Sequence, residues 1–405
     1  MIVRLFLAFA AVALATPNVA LAQNAGTPIT IGVARTLHSD VLGEDRPLLI
    51  YTPPNHRRAR AYAARGQATE RFPVIYLLDG DGHFHHTTGI VEYLSSLNRM
   101  PATIVVAIPN TDRTRDLTPP LTTVDTNQAP TAGGADNFLR FLKNELIPFI
   151  DEEYRTAPYR ILVGHSFGGL FAVHALLQDP DLFQAHIAIS PSLWWDDESL
   201  VADAAAFFDE GNKREGHLYM TMGNEGGMMI SGAWGLTRIL ETQAPPQFRW
   251  EFQVLDQEDH GSVPHRSTYA GLEAIFSDWG IQDPFQIAAD GDLSAIDAHY
   301  AALSEQYGYE IPTPEAVING LGYGLLQEQV DAAIAVFEEN VRRFPASANV
   351  YDSLGDAYDA AGRSEDARDS YARAVEIAAA EDHPNLGTYR ANLERLETKL
   401  QRRVP

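Results

Sequence analysis

Residues 160–172 read Arg-Ile-Leu-Val-Gly-His-Ser-Phe-Gly-Gly-Leu-Phe-Ala. An apolar run stops at Gly164, and from Phe167 the pattern FGGLFAVHALL continues as a helix. Gly164 and Gly168 stand two residues either side of Ser166. That Gly-x-Ser-x-Gly spacing, between a strand and a helix, puts the serine on a strained turn with its hydroxyl exposed. Glycine is required at the flanks because a Cβ there would collide with the neighbouring strand or helix. Ser166 is the candidate nucleophile.

Similar apolar runs recur on both sides of this one. ITIGVARTL, RPLLIYTPP, FPVIYLLDG, ATIVVAIPN, YRILVGHS, AHIAISPS, HLYMTMGN and FRWEFQVLD lie between residues 29 and 256. Helical patterns near 84–98, 134–150, 167–178, 197–209, 232–242 and 266–279 separate most of them. The first two runs are joined by HSDVLGED, which leaves no room for a helix and predicts an antiparallel edge hairpin. The alternation predicts an α/β fold, with eight strands in a mostly parallel sheet covered by helices. That is the α/β-hydrolase plan.

A serine hydroxyl needs a base, and the base needs an acid to hold it. In this plan the acid follows the seventh strand and the histidine the eighth. Asn224-Glu225-Gly226-Gly227 and Gln257-Glu258-Asp259-His260-Gly261 occupy those places. Glu225 and His260 are therefore the candidate acid and base, with Asp256 or Asp259 as alternative acids. His265 opens the next helix and reads as a supporting or surface residue. His165, next to the nucleophile, is expected to point away from its side chain.

An oxyanion intermediate needs two backbone donors. Phe167 N–H follows the nucleophile, and Asp81 N–H follows the Asp79-Gly80 turn in LLDGDGHFHH. His83, His85 and His86 read as mouth-of-site or helix-start residues, and no metal or other cofactor is expected. Two further loops leave strand ends, where open α/β sheets bind ligands. Trp194 and Trp195 after the sixth strand either stack on an aromatic or sugar group or cover the core. Arg113 and Arg115 after the fourth either bind an anionic group of the substrate or pair with Asp112 and Asp116.

Composition narrows the partners. The 405 residues carry 30 Lys and Arg against 54 Asp and Glu, a net charge of −24, which disfavours nucleic acid and anionic membranes. Residues 1–22, MIVRLFLAFAAVALATPNVALA, combine one basic residue, a short apolar core and Ala-Leu-Ala, the pattern of a cleaved signal peptide. Export to the periplasm or medium is expected, and removing Arg4 with the peptide takes the charge to −25. No other stretch approaches the ~20 apolar residues of a membrane helix. With no Cys, neither a disulfide framework nor a thiol nucleophile is available.

After Trp279 the character changes. The hydrolase domain is expected at 23–281, a linker at 282–292 and an all-helical domain at 293–405. Ala333 and Ala367, Phe337 and Tyr371, and Asn340 and Ala374 each stand 34 apart. Tyr351, Leu354, Gly355, Tyr358, Ala367, Tyr371 and Ala374 fall at the spacing of a tetratricopeptide repeat, and Pro345 closes the preceding unit. A protein partner for these repeats is expected, with flanking helices or the hydrolase face capping them.

The segments VIYLLDGDGHF, NTDRTRDLTP, GGADNFLRFLKNELIPFID, LVGHSFGGLF, ISPSLWWD and DQEDHGSVPHRSTYAGL give residues 29–281 a resemblance to a known family. The chain resembles the putative-esterase branch of the α/β-hydrolases. That branch holds esterase D (S-formylglutathione hydrolase), feruloyl and acetyl-xylan esterases, mycolyltransferases and siderophore (enterochelin-type) esterases. The Phe after Ser166 and the SPSLWWD stretch favour the siderophore-esterase group. The resemblance implies an exported serine ester hydrolase acting on a small molecule through an acyl-enzyme. Acyl transfer on the same machinery, feruloyl or acetyl esterase activity, and an interaction scaffold with a vestigial hydrolase are the alternatives.

Overall fold

The computed structural model describes residues 28–54, 56, 70–122, 129–209, 215–281, 283–381 and 383–402. The expected signal peptide lies outside them. Eight strands form one sheet: β1 (Val33–Ser39), β2 (Glu44–Tyr51), β3 (Phe72–Leu77), β4 (Ile104–Ala107), β5 (Thr156–His165), β6 (Ala185–Ile189), β7 (Gly216–Gly223) and β8 (Phe248–Leu255). Their spatial order is β1-β2-β4-β3-β5-β6-β7-β8. β1 and β2 pair antiparallel, β2 meets β4 antiparallel, and every later pairing is parallel. The edge hairpin and the parallel body are as the sequence reading expects.

The helices over the sheet are α1 (Gly80–Ser96), α2 (Arg113–Leu117), α3 (Ala135–Phe141), α4 (Ile147–Glu153), α5 (Phe167–Gln178), α6 (Trp195–Asp209), α7 (Met228–Gln243) and α8 (Val263–Ile275). A π-helical turn, Leu142–Leu146, joins α3 to α4 within the stretch 134–150 expected as a single helix. The central strands are buried on both faces, which is why they read as nearly continuous apolar runs rather than alternating ones. Alternate residues still divide between two cores. Ile75, Leu77, Val105, Ile161 and Val163 point to one, and Val74, Tyr76, Ile104, Val106 and Leu162 to the other.

The turn from β5 into α5 leaves little room for side chains at its glycines. A Cβ on Gly164 would fall 2.1 Å from the Gly168 carbonyl oxygen, so only glycine lets the helix begin so close to its strand. A Cβ on Gly169 would lie 2.9 Å from Pro191 Cα. At Gly168 the nearest atom would be the Asp79 carboxylate at 3.2 Å, a milder conflict.

Among the described residues seven helices follow: α9 (Pro284–Ile287), α10 (Ser294–Tyr307), α11 (Glu315–Leu325), α12 (Val330–Arg343), α13 (Ala348–Ala360), α14 (Ser364–Ala380) and α15 (Leu386–Gln401). In two successive hairpins an aromatic ring of the second helix fills the space over a glycine of the first. A Cβ would meet Phe337 at 2.5 Å from Gly322, and Tyr371 at 2.6 Å from Gly355. None of the described helices is long and apolar enough to cross a membrane.

One hydrophobic cluster runs without a break from the α1/α8 face of the sheet into α10–α14. Its joint is a knot of Tyr159, Phe276, Trp279 and Tyr307, with ring centroids 5.0–6.0 Å apart. The Tyr307 hydroxyl donates to the Ile275 carbonyl at 3.0 Å. Gly280 lets the chain pass close to α1, since a Cβ there would strike the Asn98 carbonyl oxygen at 2.1 Å. Tyr159 stands seven residues before Ser166, near the opposite end of β5, which is about 23 Å at the rise of a parallel strand.

Three outcomes follow from this packing. Gly164→Ala is expected to yield no folded protein, whereas Gly168→Ala folds with a lowered melting temperature; wild-type melting of Gly164→Ala in a thermal scan would contradict the elbow geometry. Tyr307→Ala is expected to lose about 3–5 kcal/mol in denaturant unfolding. Its activity per folded molecule should be unchanged, because the knot lies at the far end of the strand. A chain ending at residue 281, stripped of the knot's cover, should aggregate; a monomer with native stability would show the two regions to be independent.

Candidate active site

Ser166 lies between β5 and α5 with φ 61° and ψ −115°, a conformation closed to ordinary side chains unless the surroundings impose it. The surroundings are its own backbone bonds. Its N–H donates to the Ile189 carbonyl at 2.9 Å, and its carbonyl accepts from Leu170 N–H at 2.9 Å and Ser192 N–H at 3.1 Å. Phe167 opens α5, whose first N–H groups have no carbonyl within the helix to bond, so they favour negative charge. The Ser166 hydroxyl oxygen lies 3.4 Å from that of Ser192.

His260 stands beyond β8 and Glu225 beyond β7, on adjacent parallel strands. His260 Nδ1 lies 2.7 Å from Glu225 Oε2. A carboxylate oxygen accepts, so Nδ1 carries the proton and Nε2 is left as the basic nitrogen. The carboxylate is itself fixed. Ser190 donates its hydroxyl to Oε1 at 2.6 Å, and Gly223 N–H donates to Ser190 Oγ at 3.1 Å and to Oε1 at 3.3 Å. Glu225 is nearly buried while the imidazole is two-fifths exposed, so the base faces the cleft and its acid does not.

The alternative acids are placed differently. Asp256 is exposed. The Asp259 carboxylate accepts from Gly261 and Ser262 N–H at 2.9 and 2.8 Å, which shapes the loop presenting His260 and holds the carboxyl below its ordinary range.

His165 does not lie idle. Its ring sits 4.6 Å from that of His260 and 5.8 Å from that of His83. His83 Nδ1 is 3.0 Å from His86 Nε2, and the His86 ring is 5.5 Å from that of exposed His265. Burial, reinforced by neighbouring histidines, pushes His165 and His86 down to about 4, so these two rings are neutral at pH 7. His85 is exposed, and no group of three His, Asp or Glu among the described residues is arranged to hold a metal ion.

On the loop after β3, Asp79 takes the left-handed conformation (φ 52°, ψ 45°) and α1 starts immediately at Gly80, four residues earlier than the sequence pattern suggests. The Gly82 and His83 N–H groups donate to the Asp79 carbonyl at 3.0 and 3.2 Å. Asp81 N–H sits in the open first turn of α1. The Asp79 side chain takes both arms of Arg113, Nε to Oδ1 at 2.6 Å and Nη2 to Oδ2 at 3.0 Å.

Both pocket arginines are thus engaged by the protein. Arg115 binds Asp116 at 2.7 Å and Glu44 at 2.7 and 3.1 Å, and its bonds to Glu44, with those of Thr111 and Arg46, hold the Glu44 carboxyl down at about 2. Asp112, the expected partner of Arg113, instead caps α2 by accepting from Arg115 N–H at 3.0 Å. Trp195 is buried, with Nε1 donating to the Pro119 carbonyl at 3.0 Å and its edge on Phe167, so it is core cover. Trp194 is half-buried, 6.2 Å from the Phe167 ring.

Sequence reasoning missed Ser190 and Asp79. Ser190 was legible only through strand order, since β6 lies next to β7 and brings the two loops together. Asp79 carries only the Asp-Gly signal of a turn, which gives no hint of a partner 34 positions on.

Comparison with known proteins fits this geometry. Residues 39–268 match the family model described as Putative esterase. A siderophore triacetylfusarinine C esterase of Aspergillus fumigatus is 33% identical over 261 residues, covering 51% of this chain and 82% of that protein. A siderophore enterobactin esterase of Emericella nidulans is 37% identical over 156 residues, 33% of this chain; the match spans only half of that protein's length. The crystal structure of an IroE-like serine hydrolase from Shewanella oneidensis superposes with a TM-score of 0.65 at 28% identity, over 77% of this chain and 99% of that one. With the family model matching more than half of its residues on an eight-stranded, mostly parallel sheet, the chain belongs to the putative-esterase family of α/β-hydrolases.

Proposed function

We propose that this protein hydrolyses a carboxylic ester through an acyl-enzyme on Ser166, with His260 as base and Glu225 as the acid that orients it. The observation carrying this reading is the 2.7 Å contact from His260 Nδ1 to a nearly buried, fully hydrogen-bonded Glu225, beside the strained serine turn. Substrate binding turns the Ser166 hydroxyl from Ser192 toward His260 Nε2. The Ser166 oxygen then attacks the ester carbonyl carbon and its proton passes to Nε2. The tetrahedral oxyanion rests against the N–H groups of Phe167 and Asp81. Collapse expels the alcohol oxygen, which takes the proton from His260, and leaves the acyl group on Ser166. Water repeats the sequence, giving its proton to His260 and releasing the acid as Ser166 regains its hydrogen. Glu225 offsets the charge of the imidazolium that forms at each stage.

The relatives named for siderophore hydrolysis support a substrate of that kind, a small molecule closed or extended by ester bonds. The leader-like pattern of residues 1–22 supports export to the periplasm or medium. The glycine–aromatic pairs of the C-terminal hairpins support tetratricopeptide-like repeats with a protein partner.

Ser166→Ala and His260→Ala are each expected to cut turnover of p-nitrophenyl acetate by about 10⁴–10⁶. Glu225→Gln, which keeps the shape but disturbs the tautomer, should cost about 10⁴ in kcat, and Ser190→Ala less than that. Undiminished turnover by Ser166→Ala would place the nucleophile elsewhere. On a panel of a feruloyl ester, an acetylated sugar and a cyclic tri-catecholate, the catecholate should be cleaved fastest; preference for either of the others would reject the siderophore assignment while leaving the chemistry intact.

A further inference from the structure

Three segments meet behind the serine. Leu78 N–H to the Val163 carbonyl, at 2.9 Å, is the last backbone bond between β3 and β5. Beyond it the chains part, one into Asp79-Gly80-Asp81 and the other into the Gly164–Gly168 turn. Among the described residues, the hydrogen bonds joining these two segments run through Arg113, which arrives from the loop after β4. Its Nε and Nη2 fork onto Asp79, and the same Nη2 donates to the carbonyl of His165, the residue before the nucleophile, at 3.1 Å. Its guanidinium carbon lies 5.4 Å over the Phe167 ring, the residue after the nucleophile. Asn110 donates to Asp79 Oδ1 at 2.7 Å from the same loop.

We propose that Arg113 is a positioning residue for ester cleavage, whose guanidinium bolts the loop after β3 to the nucleophile turn and thereby fixes the spacing of the two oxyanion donors. This rests on the acyl-enzyme reading above and replaces the expectation that Arg113 binds an anionic group of the substrate. Asp79 is 8% exposed and holds a left-handed backbone, two costs that need a dedicated partner. Burial alone would raise its carboxyl, yet the Arg113 fork and Asn110 hold it below the ordinary range. A planar fork suits three acceptors on two segments; a lysine ammonium does not reproduce it. Oxyanion donors act only when set at hydrogen-bond distance from the developing charge, so a brace that slackens by a fraction of an ångström is felt in the chemical step.

The test uses full-length protein and two esters, neutral p-nitrophenyl acetate and p-nitrophenyl hemisuccinate, which carries a carboxylate. Arg113→Gln and Asp79→Asn should each lower kcat about 10²-fold on both esters alike, with KM within about threefold of wild type. The double variant should fall little further, because both changes undo one brace. Near-UV circular dichroism and melting verify folding. Should Arg113→Gln be unfolded at the assay temperature, Arg113→Lys carries the comparison and should show the same loss in kcat. A rise in KM confined to the hemisuccinate, with kcat intact, would overturn the proposal and make Arg113 a substrate ligand. Wild-type kcat in Arg113→Lys or Asp79→Asn would overturn it as well. Ser166→Ala run in parallel separates the two levels, since activity surviving that change would remove the acyl-enzyme reading itself.

Discussion

Position 164 has no room for a side chain, because the carbonyl oxygen of Gly168 would lie 2.1 Å from any Cβ placed there. From this one steric constraint the site is assembled. The helix must begin one residue past the serine, which drives Ser166 to φ 61° and leaves its hydroxyl standing above the strand ends. The first N–H groups of that helix then face the same side as the hydroxyl, so the strained turn and the candidate oxyanion donor come as a unit. Parallel pairing of β5 through β8 brings the loops of Ser190, Glu225 and His260 to that same edge. The strain is affordable because the turn is bonded to Ile189, Ser192 and Leu170.

Much of this was legible in the sequence, for a physical reason. Strand-end loops carry short, local signals, so Gly-x-Ser-x-Gly, Asn-Glu-Gly-Gly and Asp-His-Gly could be placed once the strands were counted. What escaped was lateral. Arg113 pairs with Asp79, not with neighbouring Asp112, because β4 lies beside β3 and their loops touch. His165 lies against the His260 ring, a contact set by side-chain packing that no spacing encodes. Helix starts shifted for the same kind of reason: Asp79 turns left-handed and admits α1 early. Asp196, Asp197 and Glu198 also take left-handed angles at the head of α6, where Thr122 donates backbone and side-chain bonds to Asp196.

The C-terminal helices occupy the other end of the molecule's logic. Their aromatic knot is seated near the start of β5 and on α8, away from the serine, and the core passes through it without a gap. A composition break near Trp279 marks where the chain leaves the sheet, yet it does not mark an end of packing. The helices therefore add packing at the sheet's far end, about 23 Å along β5 from Ser166.

The central claim is that Ser166 carries the acyl group between two half-reactions. Quenching turnover of p-nitrophenyl acetate in acid within the first turnovers, followed by peptide mass spectrometry, tests it most directly. We expect an acetyl group on the peptide that contains Ser166, accumulating in Glu225→Gln if deacylation slows more than acylation. Its absence at every quench time, or an acetyl group on another residue, would contradict the account.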